Sequence, residues 1–145
     1  MLTSPSTPEL ASSLRLAITR TARRLRQEGD PALSPTLIAA LSTIEREGPL
    51  TPSELAGRER VRRPTITRVA AKLVDAGLVT RLPDARDRRA ARLSVTVEGR
   101  RVLRALRTRK TAYLARRLER LEPEERDVLA RASDILERLL EEDAE

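Results

Sequence analysis

The chain has 145 residues, which suits one domain with helical extensions better than two independent domains. Hydrophobic residues make up 39% of it, yet Tyr113 is the only aromatic one, so the core must be built from Leu, Val, Ile and Ala. With no His and no Cys, the usual zinc sites, disulfides, thiol redox sensors and imidazole- or thiol-based catalysis are excluded, and a formal charge of +7 points towards polyanions.

Thr7-Pro8-Glu9 offers an N-cap, a proline for the first turn and an acid beside it, so a helix is expected to start at Thr7. Leu10, Leu14, Ala17, Ile18 and Leu25 recur at helical spacing until Gly29-Asp30-Pro31 ends the pattern. Ser34-Pro35 repeats the start signal for a second helix, with Leu37, Leu41 and Ile44 inward, that stops at Gly48-Pro49. Thr51-Pro52-Ser53-Glu54 then reads as a capping box opening a short helix, about Pro52 to Arg58. After a connection around Arg60 to Arg62, Ile66, Val69, Ala70, Leu73 and Val74 form one apolar stripe closed by Gly77, while Arg63, Thr67, Arg68, Ala71 and Lys72 occupy the opposite face. A short helix, a turn and a second helix with a basic outer face is a helix-turn-helix arrangement, whose second helix enters the major groove.

Leu78–Leu82 and the alternating Leu93–Val97 are strand candidates, joined by the polar run from Pro83 to Arg92. A hairpin directly after such a second helix is a wing, and arginines at its tip suit the minor groove. From Thr96, a candidate N-cap, a long helix carries Leu103, Leu106, Tyr113, Leu114, Leu118 and Leu121. Glu122-Pro123 breaks it, and a last helix follows with an apolar stripe of Val128, Leu129, Ala132, Ile135, Leu136, Leu139 and Leu140. These stripes exceed what a small winged helix needs for its own core. The first helix or a second copy of the chain can cover them, and a dimer through Leu10, Leu14, Ile18, Val128, Ala132, Ile135, Leu136 and Leu139 is the expectation.

The charge is not spread evenly. Arg58 to Arg92 holds eleven basic residues against four acidic, whereas the rest of the chain carries 18 of each. The whole net charge therefore falls on the helix-turn-helix and its wing. Arg100 to Arg117 has eight basic residues and no acid, and the stretch from Glu119 onward has eleven acidic against four basic. Those two blocks can neutralise each other within a helical hairpin or across a dimer.

From about Leu10 to Leu140 the sequence resembles the MarR family of bacterial transcriptional regulators. The resemblance is carried by Thr51-Pro52-Ser53-Glu54-Leu55-Ala56, Arg63-Pro64-Thr65-Ile66-Thr67-Arg68, Leu73 through Val79, Asp84 through Arg89, and Leu93-Ser94-Val95-Thr96-Val97-Glu98-Gly99. It implies a mainly α fold with a small β-hairpin wing: a winged helix-turn-helix over residues 33–97, flanked by dimerisation helices over 1–32 and 98–145. It further implies a homodimer that binds a pseudo-palindrome in double-stranded DNA, commonly as a repressor released by a small aromatic or anionic ligand. By the match to the family's wing run, Arg89 is the minor-groove residue, Asp87 its brace, and Arg86 or Arg88 phosphate contacts.

On the second helix, Arg62, Arg63, Pro64, Thr65, Thr67, Arg68 and Lys72 are the candidate DNA contacts. Arg63 and Arg68 suit guanine, and Thr65 and Thr67 a phosphate or a thymine methyl. Arg15, Arg20, Arg23 and Arg46 are the candidates for pairing with a ligand carboxylate. No cofactor, metal or catalytic residue is expected. The five glycines stand singly at element ends rather than in a phosphate loop, and Glu124 and Glu125 are explained by a helix first turn. No apolar run approaches the roughly 20 residues that span a bilayer, and no leader pattern opens the chain, so a cytoplasmic protein without membrane partners is expected. The competing classes are a non-specific architectural DNA-binding protein and a winged-helix protein-interaction module.

Overall fold

The computed structural model describes residues 3–86 and 90–143. Among them are six helices and one antiparallel hairpin: α1 (Thr7–Gln27), α2 (Pro35–Glu47), α3 (Pro52–Glu59), α4 (Arg63–Asp75), β1 (Val79–Pro83), β2 (Ala91–Val95), α5 (Val97–Leu118) and α6 (Pro123–Glu142). This is the mainly α, winged class. The chain divides into two compact units, Met1–Lys110 and Thr111–Glu145.

Local chemistry starts the helices. Proline sits in the first turn of α1, α2, α3, α4 and α6, where its missing N–H would have had no intrahelical acceptor. The cap of α1 is Ser6 rather than the expected Thr7. A reciprocal box needs its two partners three residues apart, and Ser6 with Glu9 has that spacing: Glu9 N donates to Ser6 Oγ at 3.4 Å and Ser6 N to Glu9 Oε2 at 2.8 Å. Ser34 and Thr51 cap as expected, accepting from Leu37 N at 3.3 Å and Glu54 N at 3.2 Å. The helix opened by Thr51 runs one residue further than expected, to Glu59.

In the first unit, α2, α3, α4, the hairpin and the start of α5 enclose one aliphatic core. Leu41, Ile44, Leu55, Ile66, Leu73, Leu93 and Leu103 are its fully buried large side chains, and Leu106 is fully buried outside that cluster. Truncating any one of these to alanine removes buried methyl groups and leaves a void, at a cost of about 2–5 kcal/mol. Gly99 permits a close approach, since a Cβ there would lie 2.3 Å from the Leu78 carbonyl oxygen and 2.9 Å from Val95 Cγ2. Gly77 takes φ +75 in the turn from α4 to β1, a conformation that favours glycine.

Both strands sit differently from their expected ranges. The ladder pairs Val79 with Val95, Thr80 with Ser94, Arg81 with Leu93, Leu82 with Arg92 and Pro83 with Ala91. β2 is therefore two residues earlier than Leu93–Val97. Thr96 leaves the sheet because its hydroxyl serves α5, accepting from Gly99 N at 3.0 Å. Leu50 adds a further rung that the sequence pattern did not reveal: Leu50 N donates to Leu93 O at 3.0 Å and Leu93 N to Leu50 O at 2.7 Å.

The second unit holds the end of α5 and all of α6. Arg117 stacks its guanidinium over the Tyr113 ring at 5.1 Å. At the start of α6, Glu125 Oε1 accepts from Glu122 N at 3.1 Å. No residue of α6 is buried, and apart from the half-buried Leu136 its large apolar side chains stay open in the single chain, from Leu129 and Ile135 at 47% to Leu140 at 64%. No residue of α1 is buried either, with Leu10, Leu14 and Ile18 exposed.

Candidate nucleic-acid interface

The amphipathicity of α4 decides which side chains face outward. Ile66, Val69, Ala70 and Leu73 are buried, so the 3.6-residue period turns Arg63, Thr67, Arg68 and Lys72 to the exposed side. Arg62 and Pro64 are exposed at the start of the helix, and Thr65 and Ala71 are half-buried at the edge of that face. The Thr67 hydroxyl donates to the Arg63 carbonyl at 3.0 Å. A phosphate oxygen needs a donor, and this hydroxyl proton is already committed, so what Thr67 offers outward is its methyl group.

The N-terminus of α4 is unusual within this chain. Its cap residue is Arg62, with no side-chain cap bond and no acid in the first turn. The starts of α1 and α3 each have a hydroxyl cap and an acidic residue, and α6 has Glu124 and Glu125. Arg62 and Arg63 instead place positive charge at the positive end of the helix dipole, an arrangement that is unfavourable until an anion arrives.

Ion pairs divide the arginines into two groups. Arg58 Nε lies 3.3 Å from Glu47 Oε2, Arg107 Nη1 donates to Glu45 Oε1 at 2.9 Å, and Arg101 is held by Glu98. Arg92, counted with the basic segment, turns back to the protein: its Nε is 3.4 Å from Asp84 Oδ1 and its Nη1 is 3.4 Å from the Pro49 carbonyl oxygen. Among the described residues, Arg60, Arg62, Arg63, Arg68, Lys72 and Arg81 have no such partner. Five of these six line the turn before α4 and its outer face, and Arg81 lies on β1.

The wing's base is built around Asp84. This carboxylate is 9% exposed and accepts from Arg86 N at 3.1 Å as well as from Arg92. The Arg86 amide, with the Arg92 and Arg86 charges adding to it against the opposing effect of burial, holds the carboxyl below its ordinary value. Asp84 N closes the ladder by donating to Ala90 O at 3.2 Å. Arg86 is exposed just beyond. The other three expected wing contacts, Asp87, Arg88 and Arg89, lie outside the described residues. That a wing aspartate holds an arginine was legible in the sequence, but which arginine Asp84 holds was not; the eight-residue separation across a hairpin was the only signal for Arg92.

Several cavities open on the first unit. One of about 240 Å³ lies between the start of α2 and the edge of α4, lined by Ser34, Thr36, Leu37, Thr65, Arg68, Val69 and Lys72. Another, about 470 Å³, is lined by Asp30 and by Arg101, Val102, Ala105, Thr108 and Arg109 of α5. The four arginines expected to meet a ligand, Arg15, Arg20, Arg23 and Arg46, are exposed and line neither.

The sequence signature of the MarR family matches residues 33–91, which hold α2, α3, α4, β1 and the start of β2. An HTH-type transcriptional regulator of Mycobacterium tuberculosis is 41% identical over 138 residues, covering 94% of this chain and 96% of its own. The HTH-type transcriptional repressor MdtR of Bacillus subtilis is 27% identical over 125 residues, 83% of this chain and 81% of its own. Among solved structures, a transcriptional regulator protein from Pseudomonas aeruginosa superposes with a TM-score of 0.83 at 36% identity, covering 94% of this chain and 98% of its own. A MarR family protein from Bacillus stearothermophilus gives 0.78 at 25% identity, with 97% and 99% covered. Streptococcus pneumoniae FabT, solved in complex with DNA, shares the fold at a TM-score of 0.67 and 20% identity over 94% and 99%. The chain belongs to the MarR family, whose members are HTH-type transcriptional regulators and not enzymes.

Proposed function

We propose that the protein is a repressor that binds a pseudo-palindromic operator in double-stranded DNA as a homodimer. The observation that carries this reading is the outer face of α4, where Arg62 and Arg63 at a helix start without a side-chain cap, and Arg68 and Lys72 further along, stand exposed and unpaired among the described residues. Phosphate neutralisation by these cations supplies the affinity, and bidentate contacts from Arg63 and Arg68 to guanine, with the Thr67 methyl against thymine, supply the sequence preference. The wing adds Arg86 and, from the family's wing run, Asp87, Arg88 and Arg89, with Arg89 in the minor groove. Pro64 and Thr65 stand at the start of α4, with Thr65 at the edge of the outer face for a phosphate or a thymine methyl.

Dimerisation is supported by the helices at the two ends of the chain. Leu10, Leu14 and Ile18 of α1, and Val128, Ile135 and Leu139 of α6, are between 38% and 63% exposed in the single chain, and Ala132 and Leu136 complete the α6 stripe. Apolar stripes of that length call for a partner surface. On this reading residues 1–32 and 98–145 form the dimerisation region around the winged helix of residues 33–97, and the protein works in the cytoplasm. Release by a small anionic or aromatic ligand would act by changing the spacing of the two α4 helices. The open cavity that Arg101 and Arg109 of α5 line together with Asp30 is a second candidate ligand position beside Arg15, Arg20, Arg23 and Arg46.

The test is selection of bound fragments from sheared genomic DNA at about 0.15 M salt, where non-specific phosphate contacts are weakened. A two-fold symmetric motif with half-sites about one helical turn apart is the expected result. Fragments without a shared motif overturn the operator-specific reading in favour of an architectural protein, and no recovery points to a protein-interaction module.

A further inference from the structure

The turn between α3 and α4 contains Arg60 at φ 53, the one non-glycine residue with positive φ among those described. The fold imposes this conformation. Val61 N donates to Ala56 O at 3.1 Å and Arg60 N to Gly57 O at 3.3 Å, the paired bonds of a Schellman termination, while Val61 packs on the core that holds buried Ala56. Glycine suits such a position, and after it asparagine, because the Cβ of other L residues is crowded in the left-handed region. Arginine accepts that crowding and recovers nothing inside the chain. Arg60 is exposed, and its side chain has no hydrogen bond or ion pair among the described residues.

Its neighbours indicate what the side chain is for. Arg58, two residues earlier, is neutralised by Glu47 at 3.3 Å. From Arg60 through Lys72 the cations have no ion pair among the described residues, and Arg60, Arg62 and Arg63 lead directly into the start of α4, which has no side-chain cap. A residue kept in a strained conformation at the mouth of a binding surface, with its charge unused within the protein, calls for a function outside the chain. We propose that Arg60 is a DNA-phosphate contact at the corner of the helix-turn-helix, held there at the expense of fold stability. This inference rests on α4 being the DNA-recognition helix. It adds a residue outside that helix and a trade between stability and binding.

Three variants separate charge from backbone. Arg60→Gly and Arg60→Asn relieve the left-handed crowding and remove the charge, and Arg60→Lys keeps the charge. Each is measured for its thermal midpoint and for affinity, across a salt series, towards a duplex of mixed sequence, since a phosphate contact acts on any duplex. Arg60→Gly is expected to raise the midpoint by roughly 2–8 °C. Both uncharged variants are expected to weaken duplex binding several-fold and to reduce the slope of log affinity against log salt by about 1, with Arg60→Lys close to the parent in both. Uncharged variants that keep the parent's affinity and salt slope overturn the proposal while leaving α4 as the recognition helix. A parent protein that binds no duplex overturns both.

Discussion

The Thr96 hydroxyl joins two elements at one atom: it donates to the Gly77 carbonyl at 2.7 Å and accepts from Gly99 N at 3.0 Å. One side chain therefore caps α5 and ties it to the turn that ends α4. Thr96→Val keeps the shape and deletes both bonds, leaving a carbonyl and an amide without that partner. A loss of about 1–3 kcal/mol is expected in chemical denaturation, with Thr96→Ser losing much less. A valine variant as stable as the parent would show that water replaces both bonds.

Asp84 gives the wing a pH dependence whose sign follows from its surroundings. The Arg86 amide and then the Arg92 charge lower the carboxyl from 3.8, so the folded state prefers the ionised form more than the unfolded chain does. The stability this contributes is complete above the unfolded value and is lost as the pH falls through the lower folded one. Asp84→Asn should therefore be less stable than the parent at neutral pH, and the two denaturation midpoints should converge as the pH drops below 3.8. Glu9 and Glu98 are also lowered, by the Ser6 amide and by Arg101, and both remain in the variant, so the difference between the two curves isolates Asp84. A constant gap across that range sinks the assignment.

Much of this architecture was legible because its signals are local. Serine or threonine before proline marks the starts of α2 and α3, and the spacing of Ile66, Val69, Ala70 and Leu73 marks the buried face of α4 without reference to anything distant. What escaped depended on contacts far apart in sequence. Leu50 pairs with Leu93 across 43 residues, and the Arg92 side chain reaches Pro49 across as many. No periodicity reports such a contact, so Arg92 counted simply as one more cation. The strand boundaries slipped because a threonine that alternates correctly as a strand residue also caps a helix, and the cap decides where Thr96 goes. Arg60 illustrates a third limit: the chain's need for a left-handed residue there follows from the packing of Val61, while arginine is not a residue from which that conformation is inferred.

Specificity and affinity should separate on α4. Arg68 is exposed on the outer face and lines the cavity beside α2, with no ion pair to occupy it. Arg68→Ala is expected to weaken binding to the selected operator by about 1–3 kcal/mol, with a smaller loss on duplex of unrelated sequence. Lys72→Ala, which removes a point charge further along the helix, should weaken both duplexes alike. Competition titrations against both duplexes at one salt concentration make the comparison. Equal losses for Arg68→Ala on the two would move Arg68 from base contact to phosphate contact.

The same two-duplex comparison extends to the dimer. Leu139 is 52% exposed on α6, and Ile135, one turn earlier on the same stripe, is 47% exposed. A charge at either position has little to disturb within a single chain, yet it places an unpaired carboxylate in an apolar contact between two chains. Ile135→Asp with Leu139→Asp is therefore expected to leave helical content nearly unchanged while shifting the sedimenting species from dimer to monomer. Operator binding should fall much further than non-specific binding, because two half-sites are read jointly only when two α4 helices are held at fixed spacing. The thermal midpoint of the parent should rise with protein concentration and that of the double variant should not. A double variant that remains dimeric would place the subunit contact elsewhere than this stripe, and a parent that sediments as a monomer while still binding a symmetric site would show that the two copies meet only on DNA.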